Sequence, residues 1–323
     1  MHPRHTGTDL TMQGNLMKKQ HTTSSRKGAL GSLAVGLLMA VVVTSCTAPS
    51  TEPPAETDSG GRPLIGITST VKEESATVPL AYAQAVHEAG GIPLILPAID
   101  DDALRAELVR RLDGLVLTGG GDVPPSAYGQ KPHETVKLMP EARWSFEPRL
   151  IDEWLKTGKP LLGVCLGAQM TNVVRGGSLI QDLPSELGGS VVHANPPDEK
   201  DTDKKETRNE SGDKHDADER EPATHRVTLA ADSRLRQILG VDQVMVISAH
   251  HQAAKHLGRG MRATGHSDDG VIEALEMPKH PWAVFVQWHP ERMYRPHRQA
   301  LFGSLIRACQ EAAGGRQRAA GGR

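Results

Sequence analysis

The sequence predicts an α/β fold with a parallel sheet covered by helices on both faces. Three observations carry that prediction. Short apolar runs alternate with segments of helical spacing between Pro63 and Val164. The runs are continuous rather than alternating, as strands buried on both faces require. Two stretches rich in chemistry, TGGGD at Thr118–Asp122 and the residues around Cys165, fall just after such runs. In parallel α/β sheets, ligands bind beyond the carboxyl ends of the strands.

The elements follow in order. Leu64–Thr68 (LIGIT) is a strand. Val78 to Ala89 has apolar residues at helical spacing and ends at Gly90-Gly91, a C-cap signal. Ile92–Leu96 is a second strand, and Asp100 or Asp101 caps a helix running to about Leu112. Gly114–Leu117 is a third strand, Ser145 to Thr157 a helix, and Pro160–Val164 a fourth strand leading into Cys165. The second half is richer in strands: Thr224–Leu229, Gln243–Ser248, Met261–Thr264, Val271–Glu276 and Trp282–Trp288. A closing helix spans Pro296 to about Ala312, with Cys309 on its buried side.

Other stretches cannot bury a core. Ala48–Gly61 is rich in Pro, Ser, Thr and Glu and reads as a flexible tether. Residues 195–222 mix both charges with almost no apolar side chains and read as a disordered surface insertion. His215 and neighbouring Asp residues there offer metal-ligand types, but an unstructured run lacks a fixed geometry. No metal and no cofactor are expected. The tail at 313–323 reads as disordered.

The 323 residues carry a net charge of −2, so no bulk field draws in nucleic acid. The three cysteines, Cys46, Cys165 and Cys309, are too few for a disulfide framework. Lys18, Lys19, Arg26 and Lys27 precede an uncharged apolar run, Gly28–Ser45, that stops at Cys46. This is the layout of an export signal. The run is slightly short of the ~20 residues of a membrane span, although an anchor helix remains the alternative. Met17 opens a more conventional signal and is a candidate true start.

Residues Pro160–Gln169, PLLGVCLGAQ, combine a strand, a Cys flanked by Gly163 and Gly167, and a helix start. That is the pattern of a nucleophile elbow. The helix N-terminus favours a thiolate at Cys165. On this motif alone a buried structural Cys is equally compatible. A Cys nucleophile needs a base and a group to orient it. In Phe285–Glu291, FVQWHPE, a buried strand runs into His289, and Glu291 two residues on is within reach of its ring on an extended chain. One oxyanion donor would be the Leu166 N–H and the other a closely approaching loop backbone, for which Gly119-Gly120-Gly121 suits, although a triple glycine is also compatible with a plain turn.

GVCLGAQ with QWHPE downstream resembles class I glutamine amidotransferases, whose triad is Cys-His-Glu. The finer resemblance is to their hydrolase branch, the peptidase C26 family, which includes γ-glutamyl-γ-aminobutyrate hydrolase. It rests on LTGGGDVPPSAYG (Leu117–Gly129), GGSLIQDL (Gly176–Leu183) and the Ser-x-His-His-Gln and Asp-Gly-Val-Ile-Glu segments within Ile247–Glu276. The VTSC ending at Val43–Cys46 resembles the lipobox of bacterial lipoproteins.

These resemblances imply a single flavodoxin-like α/β/α domain over residues 63–312 that hydrolyses γ-glutamyl amides. Cys165 would be the nucleophile, His289 the base and Glu291 its partner, with the backbone of Leu166 and of Gly120 and Gly121 as the oxyanion hole. Gln169 and His250 would contact substrate; His251 and Gln252 are as readily structural. Residues 1–45 would be a lipoprotein signal, Cys46 the lipidated N-terminus and 46–62 the tether. The protein would then be exported and lipid-anchored to a bacterial cell envelope, on its periplasmic or extracellular face. Its partners would be a small γ-glutamyl substrate and the membrane, and homo-oligomers are compatible with the sequence. Two departures stand out: Leu166 follows the Cys where the hydrolase branch usually has Arg, and Arg143-Trp144 stands where it tends to have Arg-Asp. They leave a glutaminase subunit supplying ammonia, or a catalytically retired binding lipoprotein, as rival readings.

Overall fold

The computed structural model describes residues 61–195 and 222–321, with side chains to 315. The signal segment, Cys46, the tether and nearly all of the charged insertion lie outside the described residues. Among the described residues, no helix is long and apolar enough to cross a membrane.

The first half lays down β1 (Leu64–Thr68), a small hairpin of β2 (Thr70–Lys72) and β3 (Ser75–Thr77), α1 (Leu80–Glu88) and β4 (Ile92–Leu96). There follow α2 (Asp102–Arg111), β5 (Gly114–Leu117), α3 (Glu141–Thr157), β6 (Leu161–Val164) and α4 (Leu166–Val174). The second half adds β7 (Ser178–Ile180), α5 (Leu183–Leu187), β8 (Ala223–Leu229), α6 (Arg234–Leu239), β9 (Gln243–Ser248) and β10 (Ala253–His256). It closes with β11 (Arg262–Ser267), β12 (Ile272–Glu276), β13 (Ala283–Val286) and α7 (Arg295–Gly321).

The main sheet runs β4-β1-β5-β6-β13-β12-β11-β8-β9. Its block β4-β1-β5-β6-β13 is parallel throughout. From β12 onward the pairs are antiparallel, with β10 and β7 attached beside β12. Every residue of β5, β6 and β13 is buried, as their unbroken apolar sequences require.

Two apolar layers flank the sheet. On one face Tyr82, Val86, Leu301, Phe302 and Leu305 of α1 and α7 pack against Ile65, Val116 and Val284. On the other, Phe146, Leu150, Trp154, Met170 and Val173 of α3 and α4 cover Leu115, Leu161 and Phe285. This is a single three-layer α/β/α domain.

Local rules set the helix ends. The Asp101 carboxylate caps α2 by accepting from Leu104 N at 2.6 Å. Gly90, after α1, has φ +97°. Helix α3 begins at Glu141, four residues earlier than the sequence suggested, with Pro140 at its N-cap. Cys309 is fully buried against this core, as expected. Helix α7 continues to Gly321, beyond the point where the sequence placed a tail. The short strands β2, β3, β7 and β10 and the helices α5 and α6 add to the elements that the sequence predicts.

Candidate active site

Register brings the site together. In β6 and β13, Val164 lies beside Val286. In β5 and β6, Leu117 lies beside Gly163. Three neighbouring parallel strands therefore end at one edge, and each releases one part of the site. TGGGD follows β5, Cys165 follows β6, and His289 follows β13 three residues after Val286. Cys165 and His289, far apart in sequence, meet through this register alone.

Cys165 sits at the sharp turn between β6 and α4 with φ 50° and ψ −106°. A non-glycine residue with positive φ stores backbone strain, which the surroundings must enforce. Its N–H donates to Val286 O at 2.8 Å, and its carbonyl accepts from Ala168 N and Gln169 N. The flanking glycines have a packing reason. A Cβ on Gly167 would lie 2.5 Å from Leu117 Cβ, and one on Gly163 would lie 2.6 Å from Phe285 Cδ1. The turn closes only because both positions lack a side chain.

His289 Nδ1 donates to Glu291 Oε1 at 2.8 Å. The carboxylate can only accept, so the far nitrogen, Nε2, is left for Cys165. Burial opposes charge on this ring, but hydrogen bonds with Cys165 and Glu291 outweigh it and raise His289 to about 10. Glu291 lies not on an extended chain but in a 3-10 turn, Pro290–Arg292, closed by Arg292 N donating to His289 O at 3.1 Å. The turn is what brings the carboxylate back onto the ring. His289 N–H in turn donates to Ile247 O at 2.9 Å, which ties the base to the end of β9.

The glycine loop packs directly on this pair. A Cβ on Gly119 would stand 2.9 Å from His289 Cε1 and 3.6 Å from Cys165 Cβ. Gly119 N–H is taken by Tyr82 Oη at 3.1 Å. Among the described residues the N–H groups of Gly120 and Gly121 meet no acceptor. Leu166 opens α4, so its N–H has no carbonyl four residues back. These are the donors the sequence nominated for an oxyanion.

Three further residues support the loop, a role the sequence did not assign to any of them. Arg143 is fully buried. Its guanidinium donates to Gly119 O at 2.8 Å and Thr118 O at 2.9 Å, and it pairs with Glu147. An acid one turn along α3 thus answers Arg143 where Trp144 departs from the family pattern. Tyr82 is the third. Burial, then Glu291, push its phenol well above the ordinary range, so it stays neutral. A charged residue inside an apolar stripe, as at Arg143, was the one signal available.

Gln169 and His250, the expected substrate contacts, are both buried. Gln169 is 4% exposed, and its amide donates to Gln252 O at 3.0 Å and Gln287 Oε1 at 3.3 Å. His250 is 5% exposed and turned toward Glu273. Gln169 spends its amide nitrogen inside the protein, whereas His250 leaves Nε2 without a hydrogen bond and borders a cavity. His251 is the accessible member of the pair, held by Asp122 and Asp182 at 3.1 and 3.3 Å. A cavity of about 720 Å³ is lined by Lys137, Asp182, His250 and His251, among others; Cys165, His289 and Glu291 are not in its wall.

The peptidase C26 profile matches residues 63–291. The chain belongs to the peptidase C26 family. It is 36% identical over 250 residues to protein NtpR of Enterococcus hirae, covering 76% of this chain and 95% of that one. It is 30% identical over 265 residues to the γ-glutamyl-γ-aminobutyrate hydrolase of Escherichia coli O157:H7, covering 79% and 97%. A Thermoplasma acidophilum structure, named provisionally as part of a GMP synthase, has the same fold. It aligns with a TM-score of 0.51 at 17% identity over 79% of this chain and 98% of that one. These likenesses, with the family, make the chain a hydrolase of glutamine amidotransferase-like fold.

Proposed function

We propose that the protein hydrolyses γ-glutamyl amides through Cys165, His289 and Glu291. The observation that carries this reading is the shared carboxyl edge of β5, β6 and β13, where nucleophile, base and free backbone donors converge. The Cys165 thiolate attacks the γ-carboxamide carbon, and the N–H groups of Leu166 and of Gly120 or Gly121 hold the oxyanion. His289 protonates the departing amine, which leaves a γ-glutamyl thioester on Cys165. His289 then takes a proton from water, whose oxygen attacks the thioester and releases glutamate. Glu291 keeps the ring in the tautomer both steps need.

Turnover of a γ-glutamyl anilide by the protein, and its loss in Cys165→Ser, tests the reading. Anilide turnover that persists in Cys165→Ser overturns it, as does complete inertness of the parent toward γ-glutamyl compounds, which would leave a binding protein. A glutaminase reading is favoured at one point, because Leu166 gives the CLGxQ form. Ammonia released from glutamine, with no hydrolysis of bulkier amides, would select it. Export and lipidation at Cys46 belong to the same proposal and rest on the sequence of residues 17–46.

A further inference from the structure

Away from Cys165, four buried residues turn their ligand atoms toward one point. They are His193, which precedes the charged insertion; His225 on β8, which follows it; His250, after β9; and Glu273 on β12. His193 Nδ1, His225 Nε2 and His250 Nε2 lie 3.1, 3.5 and 3.4 Å from Glu273 Oε1. All four ligand atoms fall within 4.8 Å of one another. None of them makes a hydrogen bond, and neither does Glu273 Oε2.

The outer ring nitrogens explain why. His193 Nε2 faces Asp269 Oδ2 at 2.9 Å, and that carboxylate is itself held by Ser267 Oγ at 2.5 Å. His250 Nδ1 faces Gln252 O at 3.0 Å, and His225 Nδ1 faces Arg226 O at 3.4 Å. Carboxylates and carbonyls only accept, so each outer nitrogen carries the proton and each inner one presents a lone pair. Three lone pairs and a carboxylate then face each other in the interior with no donor between them. Buried polar atoms are rarely left in that state, and a carboxylate least of all.

We propose that these four residues form a metal site that binds zinc. A tetrahedral zinc with bonds of ~2.0–2.1 Å separates its ligand atoms by about 3.3–3.4 Å, close to the three nitrogen–oxygen distances here. Three imidazoles and one carboxylate suit zinc, whereas calcium and magnesium take oxygen. Four buried protein ligands leave no open position, so the ion is structural rather than catalytic. Asp269 and the two carbonyls are the outer partners that fix ring orientation in zinc sites.

The placement gives the ion a task. His193 and His225 bracket the charged insertion, so the ion pins both of its ends to β12. Gln252 O accepts from His250 Nδ1 and also from Gln169 Nε2 on α4. The site is therefore joined through one carbonyl to the helix that follows Cys165. His193, His250 and Asp269 also line the large cavity, so loss of the ion would loosen its wall.

The test reads metal rather than turnover, so it stands apart from the hydrolase reading. Elemental analysis of the full chain, purified without chelator, should find one zinc per chain, and chelation should lower the melting temperature. Cobalt(II) added to the chelated protein should give the intense visible absorption of a tetrahedral ion. Glu273→Gln should abolish that absorption. Asp269→Asn leaves every ligand in place and should weaken zinc binding about 10–100-fold. A protein that holds no zinc, takes up neither zinc nor cobalt(II), and melts alike with and without chelator would overturn the proposal. The cluster would then be held by a shared proton.

Discussion

His289 lies between Cys165 and Glu291, and both favour its charged form. The ring ordinarily titrates near 6.5; burial works against its charge, yet the two partners lift it to about 10. A group whose folded pKa is raised adds stability that is complete below the unfolded value and is lost as the pH climbs through the folded one. Glu291→Gln removes one of the two partners. The variant should melt below the parent at pH ~7, and the gap should narrow toward pH ~10. Melting temperatures of both proteins across that range check it, and a gap that widens with pH would contradict the ion pair. Cys165, His289 and Glu291 could be singled out in the sequence, since each lies in a short motif. The direction in which Gln169 and His250 point was not legible there, because orientation depends on partners brought in by the fold, Gln252 for Gln169 and Glu273 for His250.

Among the elements, the glycine loop after β5 depends on α3. Arg143 and Glu147 are both fully buried, and the guanidinium holds two carbonyls of that loop. Removing one member of a buried pair strands the other's charge, at a cost of about 3–5 kcal/mol. Glu147→Ala should lose stability of that order in urea unfolding; a change below about 1 kcal/mol would mean that the pair contributes little. The strands of the parallel block were legible because each is a continuous apolar run. Ile92–Leu96 and Gly114–Leu117 match their predicted bounds. The strands β7 and β10 span only three and four residues, too short for any period to show. They exist through pairing with each other and, for β10, with β12. Pro148 within α3 argues against a helix by propensity, yet packing of Phe146, Leu150 and Trp154 overrides it.

For the whole molecule, the sheet divides the labour. Its parallel half delivers the candidate catalytic residues, and its antiparallel half carries the His193–His225–His250–Glu273 cluster. The sequence predicted the first half by its repeating pattern. It could not predict the second site, because four ligands on four separate segments share no spacing motif. The proposed anchor lies outside the described residues and is tested independently. Produced in a bacterium, the mature chain should begin at a diacylated Cys46 by mass spectrometry of its N-terminal peptide, and an unmodified Cys46 within a longer chain would contradict it.

The central claim is that Cys165 accepts the γ-glutamyl group. Exposure to a glutamine-like electrophile, followed by intact-mass and peptide mass analysis, tests it most directly. A single adduct on Cys165 is expected, formed in step with loss of activity and slowed by a γ-glutamyl substrate. An adduct confined to Cys309, or full activity with Cys165 modified, would contradict it.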